Sequence, residues 1–370
     1  MASRKVSMVA RKKPAGKGAS GASGAKPKPR AARGGGGRGG SRGGAGLEAQ
    51  LRAVFAAMVA TPADAALWAA TLGALFATLL GWAAPLSWAF ALFEHFRIQY
   101  AAAGLVLAIA AAATRRPFHG LVAGVVLFLN IAAMAPAWLQ PELPSHHGAP
   151  LRLLELNVQQ DNADHARVAR LLLASDADVV GLVEVDRAWL RDLAPALARW
   201  PYRQEQPHDR DEFGMALYSK RPFRFREATT FGVPWPVAIT ANLDIDGGPV
   251  SLVLVHAPPA LSGDKARAQA DFFDAFAKKR AGLGEHVVVF GDFNATPWSY
   301  ALRHLRSITG LNDQRRGFDL GTSWPAKLVP WRIPIDQVLV SPRLVVLARH
   351  VGDAVGSEHF PVTTEVALVK

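Results

Sequence analysis

Three long apolar stretches stand close together ahead of a region whose apolar runs are short and broken by polar residues. The first, residues 65–84, holds 20 residues without a charge, about 30 Å of helix and so the thickness of a bilayer core. The second, 98–114, is almost wholly Ala, Leu, Val and Ile and stops at Arg115 and Arg116. The third, 117–139, carries only His119 and Asn130 as polar side chains and ends among Pro136, Trp138 and Pro141. Between the first two lie Trp88, Phe90, Phe93, Phe96 and Tyr100, with Glu94, His95 and Arg97 among the rings. That mixture suits a membrane–water interface. The pattern predicts a membrane anchor of three transmembrane helices within 47–149. A buried helical domain is the other reading that such Ala-rich runs allow. A cleavable signal fits poorly, because the apolar run starts about 60 residues in and exceeds the usual length.

From residue 150 onward the period shortens. Strands are predicted at 151–157, 178–184, 214–219, 237–245, 250–256, 286–291, 335–340 and 361–368, each rich in Val, Leu and Ile. Helical spacing recurs at 164–174, 187–198, 265–280 and 299–307. Residues 150–370 therefore read as an α/β domain. The polar segments 201–213 and 308–334 read as loops where substrate contacts would sit.

Charge sharpens this division. The chain has 42 basic and 30 acidic residues, and 12 of the basic ones fall in 1–46 with no acid, leaving 30 of each sign beyond it. That first segment is Gly, Ala and Ser with Lys and Arg, a composition that predicts disorder. It reads either as an RNA-binding Arg/Gly segment or as a cationic flank that sets membrane orientation. The basic residues put the tail and Arg115–Arg116 inside and residues 150–370 outside, making the chain a multi-pass inner-membrane protein with a periplasmic or extracellular domain. The electroneutral remainder argues against a strongly basic nucleic-acid groove. The absence of cysteine excludes disulfides, thiolate nucleophiles and Cys-based metal centres.

Chemistry concentrates where strands end. Asn157 closes the first strand, Glu184 the second and His256 the strand at 250–256, while Asp292 and Asn294 follow 287–291. An apolar strand ending in a carboxylate, amide or imidazole presents that group at a sheet rim while its stem stays buried. Taken singly, each is equally a turn residue, a surface charge or a satisfied loop histidine.

The ordered set Leu-Asn-Val (156–158), Val-Gly-Leu-Val-Glu (180–184), Val-His (255–256), Gly-Asp-Phe-Asn-Ala-Thr-Pro (291–297), Pro-Ile-Asp (334–336) and Ser-Glu-His-Phe-Pro-Val (357–362) resembles the endonuclease/exonuclease/phosphatase superfamily, of deoxyribonuclease-I-like fold. The three apolar spans resemble those of a bacterial membrane-anchored branch. The resemblance implies a four-layer α/β/β/α sandwich behind the transmembrane helices and a divalent-metal-dependent phosphoesterase cleaving a phosphodiester or phosphomonoester. It implies Mg²⁺ or Mn²⁺ held by Glu184, Asn157 and Glu358. His359 would act at the phosphate or take a proton from water, oriented by Asp336; Asp292 and Asn294 would position water and a phosphate oxygen; His256 would donate to a non-bridging oxygen. The pattern usually reads Ser-Asp-His where this chain has Ser357-Glu358-His359, and the added methylene moves the carboxylate by about 1.5 Å. A catalytically impaired tethered scaffold is the alternative. The expected partners are membrane lipids, through the anchor, and a phosphate ester that is lipid, nucleotide or nucleic acid. Trp298, Trp324 and Trp331 read either as stacking surfaces for a base or headgroup or as packing.

Overall fold

The computed structural model describes residues 60–138, 143–313 and 320–370, with scattered positions between 46 and 56. The tail predicted to be disordered lies almost wholly outside them. Helix α1 (Pro62–Trp82) starts at a capping box: Thr61 Oγ1 accepts from the Asp64 amide at 3.1 Å and Asp64 accepts from the Thr61 amide. The aromatic stretch predicted as a link folds into a short helix, α2 (Trp88–Glu94), which bends by 58° into α3 (Arg97–Ala113). Helix α4 (Pro117–Trp138) follows. Two helices, α1 and the Pro117–Pro136 part of α4, are long and apolar enough to cross a membrane, and a third is reached if α2 and α3 form one bent span.

The bundle's outer surface is apolar, and its interior mixes small apolar residues with polar ones. Phe76, Leu79, Ile109, Phe118, Leu121 and Phe128 are exposed, whereas Thr78, Arg97 and Asn130 are buried. Arg97 Nη1 donates to the Thr78 carbonyl (3.1 Å) and to Asn130 Oδ1 (3.2 Å), and Asn130 Nδ2 donates to Thr78 Oγ1 (2.9 Å). Polar groups buried among apolar helices pair with one another. An Arg116–Asp64 ion pair (2.7 Å) joins the start of α1 to the α3–α4 turn. The elbow between α1 and α3 therefore lies at the opposite end.

Beyond the anchor the chain builds two six-stranded sheets. One contains β1 (Leu151–Asn157), β2 (Val179–Val183), β3 (Tyr202–Gln206), β4 (Met215–Ser219), β11 (Leu344–Val351) and β12 (Val362–Leu368), in the order β11-β12-β1-β2-β4-β3. The other contains β5 (Phe225–Thr229), β6 (Ala238–Ile245), β7 (Gly248–His256), β8 (Val287–Asp292), β9 (Asn312–Asp313) and β10 (Asp336–Val340), in the order β5-β6-β7-β8-β10-β9. Each sheet holds one parallel pair, β1 with β2 and β7 with β8.

Strand alternation fixes the layers. Leu151, Leu153, Val179, Val183, Leu252, Leu254, Val288, Phe290, Val338 and Val340 point between the sheets and form one core. Their neighbours Leu154, Leu156, Val180 and Leu182 face helices α5 (His165–Ala174) and α6 (Arg187–Leu197). Val253, Val255, Val287 and Val289 face α7 (Gly263–Lys279) and α8 (Tyr300–Thr309). The result is the α/β/β/α sandwich. Gly181 leaves room for Phe290, whose ring a Cβ there would meet at 2.6 Å. The segment 201–213, predicted as loop, contains β3; the strands at 225–229, 312–313 and 344–351 were also unpredicted.

Anchor and sandwich pack as one unit from Ala56 to Lys370. Glu94 Oε2 accepts from the Tyr300 amide (2.8 Å), His95 Nδ1 meets Thr296 Oγ1 (3.2 Å), and Gln99 Nε2 donates to the carbonyls of Pro330 (3.1 Å) and Arg332 (2.9 Å). Trp298 is buried with Ala101 and Met134 of the bundle.

Candidate active site

The alternation that fills the core also builds the site. Counting in twos from the buried leucines and valines gives Leu151, Leu153, Glu155, Asn157 on β1; Val250, Leu252, Leu254, His256 on β7; Val288, Phe290, Asp292 on β8; and Asp336, Val338, Val340 on β10. The polar groups are the last layer of the intersheet core. Register brings them level: His256 pairs with Asp292 across the parallel β7–β8 ladder, Asp336 opposes Asp292 across β8–β10, and Asn157 pairs with Val183, one residue before Glu184. Gly291 permits this approach, since at φ 133° a Cβ would run into the Val255 carbonyl oxygen.

A cavity of about 740 Å³ opens over this layer, lined by Asn157, Glu184, His256, Asp292, Asn294, Glu358 and His359 among others. Asn157 Nδ2 donates to Glu184 Oε1 (2.6 Å) and to Asp292 Oδ2 (3.2 Å). Its Oδ1 accepts from the Gln159 amide (2.9 Å). Asn157 thus stands as the bracket between the two carboxylates, its amide nitrogen rather than its oxygen turned toward them. Asp292 Oδ1 accepts from the Asn294 amide (2.8 Å), and Asn294 Nδ2 is held by the Ala257 carbonyl (2.9 Å). His359 Nδ1 lies 3.0 Å from Asp336 Oδ2, and its Nε2 lies 3.7 Å from Asp292 Oδ2. His256 Nε2 is 3.8 Å from both Glu184 and Asp292, with the Phe213 ring stacked on it at 4.7 Å.

Burial sets the charges. It pushes the Glu184 carboxyl up, and pushes Asp292 up to about 7 against the opposing pull of His359. It pushes His256 down to about 3, leaving that ring neutral at ordinary pH. Burial also lowers His359, but Asp336, Asp292 and Glu184 outweigh it and raise the ring to about 9. The pair His359–Asp336 is therefore an imidazolium held by a buried carboxylate.

Ligating atoms of Glu184, His256 and Asp292 lie within 4.8 Å of one another, as do those of Asp292, Asp336 and His359. A half-buried and a buried carboxylate, Glu184 and Asp292, beside a neutral imidazole form an oxygen-rich, negatively charged donor set, which fits a hard divalent cation such as Mg²⁺ or Mn²⁺. Glu358 belongs to neither group. Its side chain is exposed at the cavity wall while its amide donates to Gln159 Oε1 (2.8 Å).

Three residues escaped the strand-end reading. Glu155 sits beneath the site, its carboxyl raised by burial and then by Asp336 and Asp292. Its position two residues before Asn157 in an apolar strand was the available signal. Gln159 gave none, whereas Phe213 closes the segment 201–213 where substrate contacts were expected. Gln159, Glu184 and Asn294 hold left-handed backbone at φ 59°, 62° and 47°, a strain of about 1 kcal/mol for the first two and less for Asn294, since asparagine enters this region most readily. Of the three tryptophans, Trp298 packs into the anchor, while Trp324 lines the cavity with its ring 6.4 Å from that of His359.

Solved structures share this fold. An endonuclease/exonuclease/phosphatase from Beutenbergia cavernae DSM 12333 aligns at 20% identity over 60% of this chain and 72% of its own, with a TM-score of 0.50. TDP2 of D. rerio complexed with single strand DNA product aligns at 17% identity, covering 59% of this chain and 99% of its own, with a TM-score of 0.49. Sphingomyelinase C from Streptomyces griseocarneus aligns at 22% identity, 59% and 99% coverage and a TM-score of 0.44. No curated protein matches the chain. Residues 154–359, more than half the chain and the whole arc from β1 to His359, match the Endonuclease/Exonuclease/phosphatase family, and the chain belongs to it.

Proposed function

We propose that this protein is a divalent-metal-dependent phosphoesterase carried by a multi-pass anchor in the cytoplasmic membrane, with its sandwich on the outer face. The observation that carries the reading is the meeting of the Glu184 and Asp292 carboxylates with two histidines at one open cavity, with Asp336 buried behind His359.

Glu184 and Asp292, with His256 alongside, would hold Mg²⁺ or Mn²⁺, which supplies positive charge against the phosphoryl oxygens. Asp336 fixes the His359 ring through Nδ1 and leaves Nε2 to the cavity, where the imidazolium donates to a phosphoryl oxygen or leaving group. Asp292 Oδ2, raised in basicity by burial, accepts a proton from the attacking water. Asn157 and Asn294 keep that carboxylate in place from both sides. Orientation rests on the basic tail and Arg115–Arg116, which favour the cytoplasmic side.

The test is hydrolysis of bis(p-nitrophenyl) phosphate by the full chain in detergent with Mg²⁺ or Mn²⁺. Release of p-nitrophenol that stops with chelator and in His359→Ala is expected. Equal silence of wild type and variant with either metal defeats the proposal. A C-terminal reporter active only outside the cytoplasm tests the sidedness.

A further inference from the structure

We infer that the cavity takes its phosphate from the bilayer on which it is mounted: the substrate is a membrane phospholipid whose headgroup enters the cavity while its acyl chains stay in the membrane. The inference rests on the phosphoesterase reading and adds the substrate class.

Two walls of the cavity end on the anchor's elbow. One is the segment after His256, where Pro259 and Leu261 line the cavity and Gly263 lies against α2, a Cβ there falling 3.4 Å from Trp88 Nε1. The other begins at Trp324 in the cavity and runs to Pro330, Trp331 and Arg332. There Gln99 of α3 binds two carbonyls and Phe96 meets the Trp331 ring edge-on at 5.9 Å. The Glu94–Tyr300 and His95–Thr296 contacts fix the same elbow to the segment that follows Asp292 and Asn294. The mouth is thus held beside the elbow, at the end of the apolar helices.

Both walls turn apolar side chains outward at this place. Leu261 is 65% exposed, Leu328 57%, Val329 63% and Trp331 54%, and on the elbow Leu86 is 81% exposed. Apolar groups of this size clustered on one rim mark a surface with a partner. The elbow that this rim touches follows directly on α1, whose last two turns expose Phe76 and Leu79, and this apolar run assigns the bilayer as its partner. Among the described residues the cavity wall carries Asp161, Asp186, Glu212 and Glu358 with Arg210, and Asp209, which pairs with Arg187. A strand of phosphates is repelled by such a wall. A single headgroup phosphate, met by a cation and the His359 imidazolium, is not.

The experiment uses the full chain in bilayers of phosphatidylethanolamine and phosphatidylglycerol with Mn²⁺, following headgroup release by mass spectrometry. Bis(p-nitrophenyl) phosphate and single-stranded DNA serve as water-soluble comparisons. Leu328→Asp combined with Val329→Asp lies outside the cavity. It should slow lipid turnover roughly tenfold and leave turnover of the soluble diester within about twofold. Because the chain has no cysteine, Val329→Cys accepts one fluorophore, which should be quenched by brominated acyl chains and shielded from iodide. Lipid turnover indifferent to the double variant, quenching by iodide alone, or cleavage of DNA or soluble diester without lipid overturns the lipid assignment and leaves the phosphoesterase standing. Silence on every substrate, the soluble diester included, removes both.

Discussion

The anchor and the sandwich bury opposite things. Between the sheets the interior is mostly Leu, Val and Phe, and Glu155, Asp292, Asp336 and His256 lie in the layers under the cavity. In the helical bundle the large apolar side chains face outward, and the interior holds Arg97, Asn130 and Thr78. The inversion is what the proposed membrane location would produce: water drives apolar groups inward, whereas lipid would be indifferent to them and would force polar groups to find one another. The two polar clusters differ as well: that of the bundle is closed on itself, while that of the sandwich opens to a cavity where a substrate can complete it.

Removing the open cluster's chemistry gives the largest expected effect. His359→Ala should lower turnover of bis(p-nitrophenyl) phosphate roughly 10³-fold, while thermal unfolding of the chain remains cooperative. A loss under tenfold would place the proton chemistry elsewhere.

Next come the two apolar environments. Phe290→Ala, between the sheets, should destabilise the sandwich by about 3–5 kcal/mol in chemical denaturation. Phe76→Ala, 64% exposed on the lipid-facing surface, should stay within about 0.5 kcal/mol in a bilayer. Equal costs would end the comparison. Asn130→Leu, which strips an acceptor from Arg97, should cost about 1 kcal/mol of bundle stability, measured by steric-trap or denaturant unfolding in bilayers.

The smallest effect is read by titration in chelated protein. His359 is raised above its ordinary value of 6.5 to about 9, so the stability it contributes is complete below 6.5 and is lost as pH rises through 9. Asp292 acts in the same direction over a lower window. The fold favours its protonated form, and that penalty sets in above 3.8 and is complete beyond about 7. Asp336→Asn should bring the His359 midpoint down, followed by NMR of the ring protons. An unmoved midpoint would mean that Asp336 does not govern the ring.

The edges of the fold were the part that sequence concealed. The unpredicted strands β3, β5, β9 and β11 are the four edge strands of the two sheets. Central strands are buried on both faces and read as apolar runs, but Tyr202–Gln206 and Phe225–Thr229 are largely polar and partly exposed. The span boundaries suffered similarly. The aromatic link forms α2 because Ser87 accepts from the Ala89 amide and α2 seats on the sandwich, neither visible from hydropathy.

By itself the sequence determined the long apolar helices, the central strands and the strand-end residues Asn157, Glu184, His256 and Asp292, because burial writes itself into local periodicity. Tertiary structure alone decided that Glu155 and Gln159 join them, that Asn157 turns its amide nitrogen to the carboxylates while Glu358 stays at the wall, and that the cavity opens beside the anchor. Those outcomes depend on register between strands far apart in the chain and on contacts such as Glu94 with Tyr300. A local pattern carries no record of which distant backbone will stand opposite it.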